Sequence, residues 1–288
     1  MQAEFLSSLE EVDAGDWNAL AGVDQPFLKY EFLRAMETSG SVGAGTGWEP
    51  AHLVMRDDSG QLLAALPLYR KTDSWGEFVF DFAWADAYRR AGLRYYPKLV
   101  AGVPFTPATG SRFLVGQDAS RGAMLSAMTA VIRDQADALS TSSLHVLFPD
   151  EAEARELADQ GLLLRKDCQF HWHNAGYGDF DEFLGEFTSV KRKKVRRERR
   201  RVREEGIRFR RLTGHDMDPQ RWQDIMPLYG SSFWRRGRDP YLNQSFFITV
   251  SETLPDDLLI MLAEKDDEPI ATAICFRSGD TLYGRYWG

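Results

Sequence analysis

The sequence predicts a mixed α/β (α+β) protein built from two successive modules, and three observations support this. Apolar residues recur in steps of three over residues 27–39, which is typical of a helix that packs on one side. Residues 76–84 (GEFVFDFAW) alternate with period two, as expected of a half-buried strand. Both halves show helices followed by paired strands, with a break near Asn174. We therefore expect one module over residues 1–173 and a second over residues 174–288.

The other elements of the first module follow from turn and capping signals. Residues 51–56 and 61–70 predict two strands joined by an Asp-Asp-Ser-Gly turn. The Pro- and Gly-rich stretch 95–112 predicts mostly loop, followed by a helix over 119–139 and a strand over 142–148. Asp150 and Glu153 match a capping box that opens a helix through Asp159, and residues 162–172 predict a strand.

The second module begins with a short helix over residues 179–187 and a strongly basic helix over 190–205, for which Ser189 is the expected cap. A strand over 207–212 follows, then helical patterns over 219–254 interrupted at Gly237 and Pro240. Three strands close the sequence, over 258–264, 269–277 and 281–288. Because the last of these strands would leave an open edge, we expect the second module to be incomplete at its C-terminus.

Composition limits the class of protein. The 288 residues include no apolar run long enough to predict a membrane span, and the acidic N-terminus lacks the features of a secretion signal. Two distant cysteines, Cys168 and Cys275, cannot form a disulfide framework, so we expect a cytoplasmic protein. Its oligomeric state is left open. The net charge is −8, yet Lys191–Arg203 contains 10 basic residues and one acid, a local charge of +9.

This basic run predicts an anion-binding helix. Self-repulsion among its charges would be relieved by a nucleic-acid backbone, a pyrophosphate or an acidic membrane surface. The alternative is a solvated helix that the acidic remainder of the protein neutralises. No aromatic residue interrupts the run, so we expect it to bind phosphates rather than stack on bases. The expected binding residues are Lys191, Arg192, Lys193, Lys194, Arg196 and Arg197.

Candidate catalytic groups are fewer. Asp81 and Asp86 flank Trp84 in an aromatic stretch, where an unpaired carboxylate would have a raised pKa suited to a general base; pairing with Arg89 or Arg94 is the alternative. His171 could also act as an acid or base. His171 and His173 on one strand face could hold a metal, but no further ligand motif accompanies them, and we expect no metal site.

Common catalytic motifs are missing. The sequence has no GxSxG elbow, Walker A loop or Rossmann fingerprint. An Arg/Gln-x-x-Gly-x-Gly/Ala loop that would bind acyl-CoA is matched only in part, by residues 89–94. We therefore expect no tightly bound cofactor, with acyl-CoA remaining a possible donor.

Several segments together resemble one bacterial family: GEFVFDFAWADAY, YYPKL, PFTPATGSR, SSLHVLF, QFHWHN, the basic helix and LYGRYWG. They are similar to FemAB-like proteins, predicted N-acyltransferases of peptidoglycan biosynthesis or recognition. The resemblance implies tandem GNAT-like modules (acyl-CoA N-acyltransferase folds), each a mixed sheet flanked by helices. The better-known Fem transferases carry a comparable basic segment and move aminoacyl groups from charged tRNA to a peptidoglycan precursor. Relatives continue beyond GRYWG, which again implies an incomplete second module.

The leading hypothesis is therefore transfer of an acyl or aminoacyl group, from acyl-CoA or aminoacyl-tRNA, to an amine on a small molecule or cell-wall precursor. Asp81, Asp86 or His171 would deprotonate the amine, and Tyr286 or a backbone amide would stabilise the oxyanion. The expected substrate-binding residues are the basic helix together with Lys98, Arg112 and Arg285. The alternative is a non-catalytic module that binds RNA or an anionic cell-envelope component.

Overall fold

A computed structural model describes all residues except 24, 137 and 139. The described residues of the first half form eight strands and five α-helices. Its elements, in chain order, are β1 (Gln2–Leu6), α1 (Ala14–Ala21), α2 (Tyr30–Thr38), β2 (Trp48–Pro50), β3 (His52–Arg56), β4 (Leu62–Leu66), β5 (Leu68–Lys71), α3 (Phe82–Arg90), β6 (Lys98–Ala101), β7 (Leu114–Val115), α4 (Arg121–Gln135), β8 (Leu144–Val146) and α5 (Glu151–Asp159).

The second half follows a segment, residues 161–179, in which the structure has neither helix nor strand. The expected module boundary at residue 174 falls in this segment and stays a prediction. The elements that follow are α6 (Phe180–Gly185), α7 (Ser189–Glu204), β9 (Arg208–Thr213), α8 (Pro219–Trp234), α9 (Gln244–Thr253), β10 (Leu258–Lys265), β11 (Glu268–Ser278) and β12 (Thr281–Trp287).

The described strands form three four-stranded sheets flanked by helices, which confirms the predicted mixed α/β class. Their orders are β1-β3-β4-β7, β2-β5-β6-β8 and β12-β11-β10-β9. Most neighbours are antiparallel, but β6 and β8 are parallel. The fold therefore brings Lys98, the first residue of β6, to the same region as residues 143–145 at the start of β8.

Two hydrophobic cores hold these layers together. The larger core contains residues of both halves, and Phe27 contacts Phe276 and Tyr283 at ring-centroid distances of 5.4 and 5.0 Å. The smaller core lies between α4 and the strands of the first half. The shared core fixes how the two halves face each other. No described helix is both long and apolar enough to cross a membrane.

The strand predicted over residues 76–84 is wrong. Phe78 has a positive φ of 57°, and α3 begins at Phe82, so the chain turns instead of extending. The apolar residues of this stretch do not share one buried face: Phe80 and Trp84 are 71% and 47% exposed. The alternating aromatic residues predicted a strand here. This pattern could not reveal that Glu77 and Asp81 have a buried partner, and their contacts with it fold the segment back.

Two other expectations need correction. The predicted strand 61–70 is divided at Pro67 into β4 and β5, which belong to different sheets, because proline cannot donate to a ladder. Residues 162–172 pair with no described strand and are mostly exposed. The stretch 95–112 is mostly loop, as predicted, and it also contains the short interior strand β6. Residues 137 and 139, at the end of the predicted helix 119–139, lie outside the described residues.

Helix caps were predicted more accurately. The Asp150 side chain accepts from Glu153 N at 2.9 Å and opens α5. Glu153 does not complete the reciprocal half of the capping box, because its carboxylate turns into the core and accepts from Arg112 N at 2.8 Å. Ser189 begins α7 rather than capping it, since the N-cap residue is Thr188 and makes no side-chain cap bond.

Candidate active site

A cluster of buried charges lies beneath the loop that precedes α3. Lys98 Nζ donates to Glu77 Oε2 at 2.8 Å, to Asp81 Oδ2, and to Ser74 Oγ at 3.2 Å. Tyr95 OH also donates to Asp81 Oδ2, at 2.5 Å. The side chains of Lys98 and Glu77 are fully shielded from solvent. Two of the predicted site residues, Lys98 and Asp81, therefore meet in one place.

The two carboxylates of this cluster differ in proton affinity. Burial raises the pKa of Glu77 to about 7, against the attraction of Lys98. Burial also acts to raise the pKa of Asp81. Hydrogen bonds to its carboxylate, first of all the one from Lys98, outweigh burial and bring this pKa below its usual value. Glu77 Oε1 and Asp81 Oδ1 are buried and lack a hydrogen-bond partner among the described residues. Glu77 is therefore the member suited to exchanging a proton near neutral pH.

Neighbouring groups hold the loop over this cluster. Lys71 Nζ lies 4.0 Å from the Trp48 ring centroid and donates to Trp75 O at 3.1 Å, and Trp48 Nε1 donates to the same carbonyl at 3.0 Å. Gly76 has a φ of 77°, and a Cβ at this position would come within 2.4 Å of the Phe105 ring. A glycine is needed here because the backbone is left-handed and presses directly on an aromatic ring.

A small cleft opens on the outer side of the loop, between the two halves of the chain. It encloses about 50 Å³ and is lined by Ser74, Trp75, Gly76, Phe78, Val79, Phe80, Phe82, Arg238 and Tyr241. This volume admits only a terminal group of a few atoms. Ser74 lines the cleft and also contacts Lys98, so it connects the cleft to the buried cluster.

A larger cavity of about 300 Å³ lies elsewhere, between α4 and β8. Its described lining is mainly apolar and includes neither a carboxylate nor a histidine. His145, on β8, lies close to the buried charge cluster: its ring centroid is 6.1 Å from that of Tyr95. Burial, and then the charge of Lys98, lower the pKa of His145 to about 4. His145 is therefore neutral at pH 7. Because the described lining of the larger cavity has neither a carboxylate nor a histidine, the smaller cleft is the better candidate for chemistry.

The structure does not bring the other predicted catalytic residues to the cleft. Asp86 is paired with Arg89 at 2.5 Å and with Arg90 at 2.6 Å. Pairing with Arg89 was one of the two alternatives predicted for this carboxylate. His171 is exposed and contacts Gln169 at 3.3 Å. Tyr286 is buried against Tyr229, with ring centroids 5.2 Å apart, and burial raises its pKa.

Arg112 and Arg285 also lie outside the cleft lining. Arg112 is 1% exposed, and its guanidinium donates to four backbone carbonyls, those of Leu147, Phe148, Ala108 and Ser111. Arg285 donates to the carbonyl of Phe105, next to the loop, and lies 5.2 Å from the centroid of the Tyr286 ring. Both arginines hold backbone in place around the site.

Helix α7 presents its cations to solvent. Only Arg192, Val195 and Val202 are half-buried along its length, so a thin stripe attaches it to the rest of the protein. Arg196 pairs with Asp181 at 3.0 Å, and Arg199 lies 4.0 Å from the Phe180 ring centroid. Lys194 lies 3.8 Å from Glu198. Lys191, Lys193 and Arg197 make no ion pair with any residue that the structure describes.

No three described His, Cys, Asp or Glu side chains are grouped closely enough to hold a metal ion. The rings of His171 and His173 are 6.3 Å apart, centroid to centroid. Neither histidine lies in the cleft.

Sequence reasoning missed Glu77, Ser74 and Lys71. The predicted period-two strand placed Glu77, with Val79 and Asp81, on the face opposite the aromatic residues. One signal pointed to the cluster: Lys98 begins an apolar stretch, KLVAGV, and a lysine in a buried strand requires a carboxylate partner. Nothing in the spacing identified Glu77 as that partner, since 21 residues separate them.

A search of curated protein sequences finds no match. Similar solved structures include a ribosomal-protein-alanine N-acetyltransferase from Brucella melitensis biovar Abortus 2308, with 18% identity, a TM-score of 0.36, and coverage of 60% of this chain and 100% of that one. They also include L-PGS from Bacillus licheniformis, with 11% identity, a TM-score of 0.47, and coverage of 91% of this chain and 66% of that one. The FemAB-like family model, described as peptidoglycan biosynthesis/recognition, matches residues 8–288, and the chain belongs to this family.

Proposed function

We propose that the protein transfers an acyl or aminoacyl group to an amine of a cell-wall precursor or related small molecule. Membership of a peptidoglycan biosynthesis/recognition family supports the class of pathway. The observation that carries the reaction type is the position of Glu77, whose pKa is raised to about 7 and which is linked to the cleft through Lys98 and Ser74. An amine nucleophile must lose a proton during such a transfer, and a base of this strength suits neutral pH.

Glu77 would receive this proton by relay, because its own side chain is shielded from the cleft. Lys98 gives a proton to the ionised Glu77 Oε2, the Ser74 hydroxyl then gives its proton to the neutral Lys98 amine, and the acceptor amine gives its proton to Ser74 Oγ. The two transfers within the protein follow contacts in the structure, at 2.8 Å for Lys98–Glu77 and 3.2 Å for Ser74–Lys98. Asp81 stays ionised and keeps Lys98 in position. Ser74 and Lys98 then hold as many protons as at the start, and the cycle closes when Glu77 releases the proton that it gained.

The cations of α7 would hold a donor that carries phosphates, either acyl-CoA or aminoacyl-tRNA. Lys191, Lys193 and Arg197 are the best placed, because no described carboxylate neutralises them. Lys194 and Arg196 would exchange weak surface pairs for phosphate contacts. Arg192 is half-buried and donates to Phe187 O at 3.1 Å, so it would chiefly anchor the helix.

The first experiment measures binding of acetyl-CoA, aminoacyl-tRNA and uncharged tRNA at two salt concentrations, followed by transfer to amine acceptors from the donor that binds. Glu77→Gln and Ser74→Ala should lower the single-turnover rate by about 100-fold or more, the usual contribution of a general base. Glu37→Gln is the control, since Glu37 is a well-buried carboxylate that bonds Leu9 N and His52 outside the cleft. An unchanged rate in Glu77→Gln would contradict the assignment.

A second candidate is a non-catalytic module that binds RNA or an anionic envelope component. The exposed cations of α7 favour it independently of the cleft. Such a module would bind its partner with a steep dependence on salt and would turn over no donor. Binding of tRNA without transfer to any amine, in the presence of an intact Glu77, would favour this alternative.

A further inference from the structure

We propose that Arg238 recognises a carboxylate on the acceptor molecule, next to the amine that reacts. This inference rests on the proposed function, because it concerns the acceptor of that reaction. It names the chemical class of that acceptor: an amine that also bears a carboxylate, such as an amino acid or the end of a peptide.

The contacts of Arg238 leave its hydrogen-bonding groups available. Its guanidinium lies 4.0 Å from the Trp75 ring centroid, and it lines the cleft. It forms no ion pair with any residue that the structure describes. A guanidinium stacked on a ring still presents its N–H groups along its edges, in the fork that matches a carboxylate. The structure therefore leaves a cation at the cleft without an anion to pair with.

The backbone around Arg238 is fixed rather than free. Helix α8 ends at Trp234, and Gly237, with a φ of 67°, reverses the chain. Tyr241 then stacks on Phe105, with centroids 5.0 Å apart and planes at 12°, and Leu242 N donates to Tyr229 OH at 3.3 Å. These contacts place Arg238 over the loop of the first half. An arginine held in this way loses less freedom on binding than a mobile surface arginine.

The size of the cleft decides which part of the acceptor meets Arg238. About 50 Å³ accommodates a terminal amine or carboxylate, but not a sugar ring or a nucleotide. Ser74 is the group that contacts the buried cluster, and Arg238 lines the same cleft. One small group that carries both an amine and a carboxylate would satisfy both residues. Larger parts of the acceptor would lie on the exposed rings of Phe80 and Phe82.

The test uses pairs of ligands that differ by one carboxylate: L-alanine with ethylamine, and L-lysine with cadaverine. Binding to the whole protein is followed through the indole N–H signal of Trp75 in ¹H–¹⁵N spectra, which is assigned with Trp75→Phe. We expect each carboxylate-bearing ligand to bind roughly five- to tenfold more tightly than its partner, as for a partly solvated charge-assisted pair. Arg238→Gln should abolish this preference, and Arg238→Lys should retain part of it.

Arg236→Gln is the matched control, because Arg236 is exposed on the same turn and does not line the cleft. It should bind both members of each pair as the wild-type protein does. Equal binding within both pairs, absence of binding by all four ligands, or a preference that survives in Arg238→Gln would overturn the proposal. Tighter binding of inorganic phosphate than of acetate, lost in Arg238→Gln, would overturn the choice of a carboxylate. Because no donor is present, these results are independent of whether transfer occurs.

Discussion

Lys98 donates to Glu77 at 2.8 Å in a region where neither side chain reaches solvent. Asp81 shares the same ammonium group, so two carboxylates face one charge. Three ionised groups would leave a net negative charge in a medium that solvates it poorly. Holding a proton on Glu77 removes this excess. Burial is the main cause of the raised pKa of Glu77, and the charge of Asp81 adds to it; the raised pKa makes this carboxyl the proton carrier of the cluster.

The first prediction concerns pH and stability. The pKa of Glu77 is raised from 4.5 to about 7, so the folded state binds more protons than the unfolded state between these values. Stability is then fully present below pH 4.5 and is lost as pH rises through 7. Relative to Glu77→Gln, the wild-type free energy of unfolding should fall by up to about 3 kcal/mol over this window and stay level above it.

Urea unfolding of both proteins between pH 4 and pH 8 measures this difference. His145 contributes in the opposite direction, since its depressed pKa of about 4 makes stability rise with pH up to 6.5. Its contribution is present in both proteins and cancels in the comparison. A difference that stays constant, or that grows with pH, would show that the pKa of Glu77 is not raised in the folded protein and would contradict its assignment as a base that works near pH 7.

The second prediction tests the loop that covers the cluster. Gly76→Ala places a Cβ within 2.4 Å of the Phe105 ring, whereas Gly92→Ala, at a similar φ of 71°, meets no atom within 4 Å. Both variants bear the cost of a left-handed alanine, about 1 kcal/mol. Gly76→Ala should lose roughly 1–3 kcal/mol more, because a packed ring must move. Thermal and urea unfolding of the two variants compare them directly, and equal losses would show that the loop does not press on Phe105.

Two residues of the buried cluster were singled out from the sequence, and their roles in binding and catalysis stay predictions. Asp81 and Lys98 were expected as site residues, and the structure places them in direct contact. The residue that titrates, Glu77, was missed because alternation of aromatic residues predicted a strand. Period-two patterning reports which residues are apolar, but here the apolar residues Phe80, Phe82 and Trp84 are exposed and the charged ones are buried. The usual inference from hydrophobicity to burial is reversed in this segment.

The second half of the chain followed local signals more closely. Helix α7 was expected over residues 190–205 and occupies Ser189–Glu204, since Gly206 ends it with a φ of 75°. Strands β10 to β12 lie where they were predicted. What no local pattern could reveal is the contact between halves, in which Tyr241 stacks on Phe105 from 136 positions away and closes one side of the cleft.

The third prediction concerns α7. Changing Lys191, Lys193 and Arg197 together to Gln removes three exposed cations that make no ion pair with described residues, so the free energy of unfolding should change by less than about 0.5 kcal/mol. If these side chains contact phosphates, the slope of log K against log salt for tRNA should become shallower by roughly 2 to 3. Filter binding over a salt series measures it.

The control for α7 is a second triple variant, in which Arg94, Lys166 and Arg236 are changed to Gln. These three cations are also exposed, and the net charge changes by the same amount. Only the α7 variant should change the slope. A similar change of slope in both variants would mean that total charge, and not this helix, governs binding.

The last prediction separates a structural arginine from a binding one. Arg112 was expected to bind substrate, but it is sealed in the core, where its guanidinium satisfies four carbonyl oxygens. Arg112→Met keeps the length of the side chain and removes every donor, so it should cost about 3 kcal/mol or more of unfolding free energy. Arg133→Met is the control: Arg133 donates to one exposed carbonyl, that of Gln160, at 2.7 Å, and should cost less than about 1 kcal/mol. Urea unfolding at pH 7 measures both. If Arg112→Met kept wild-type stability and lost binding of the donor or acceptor, its expected role as a substrate-binding residue would be restored.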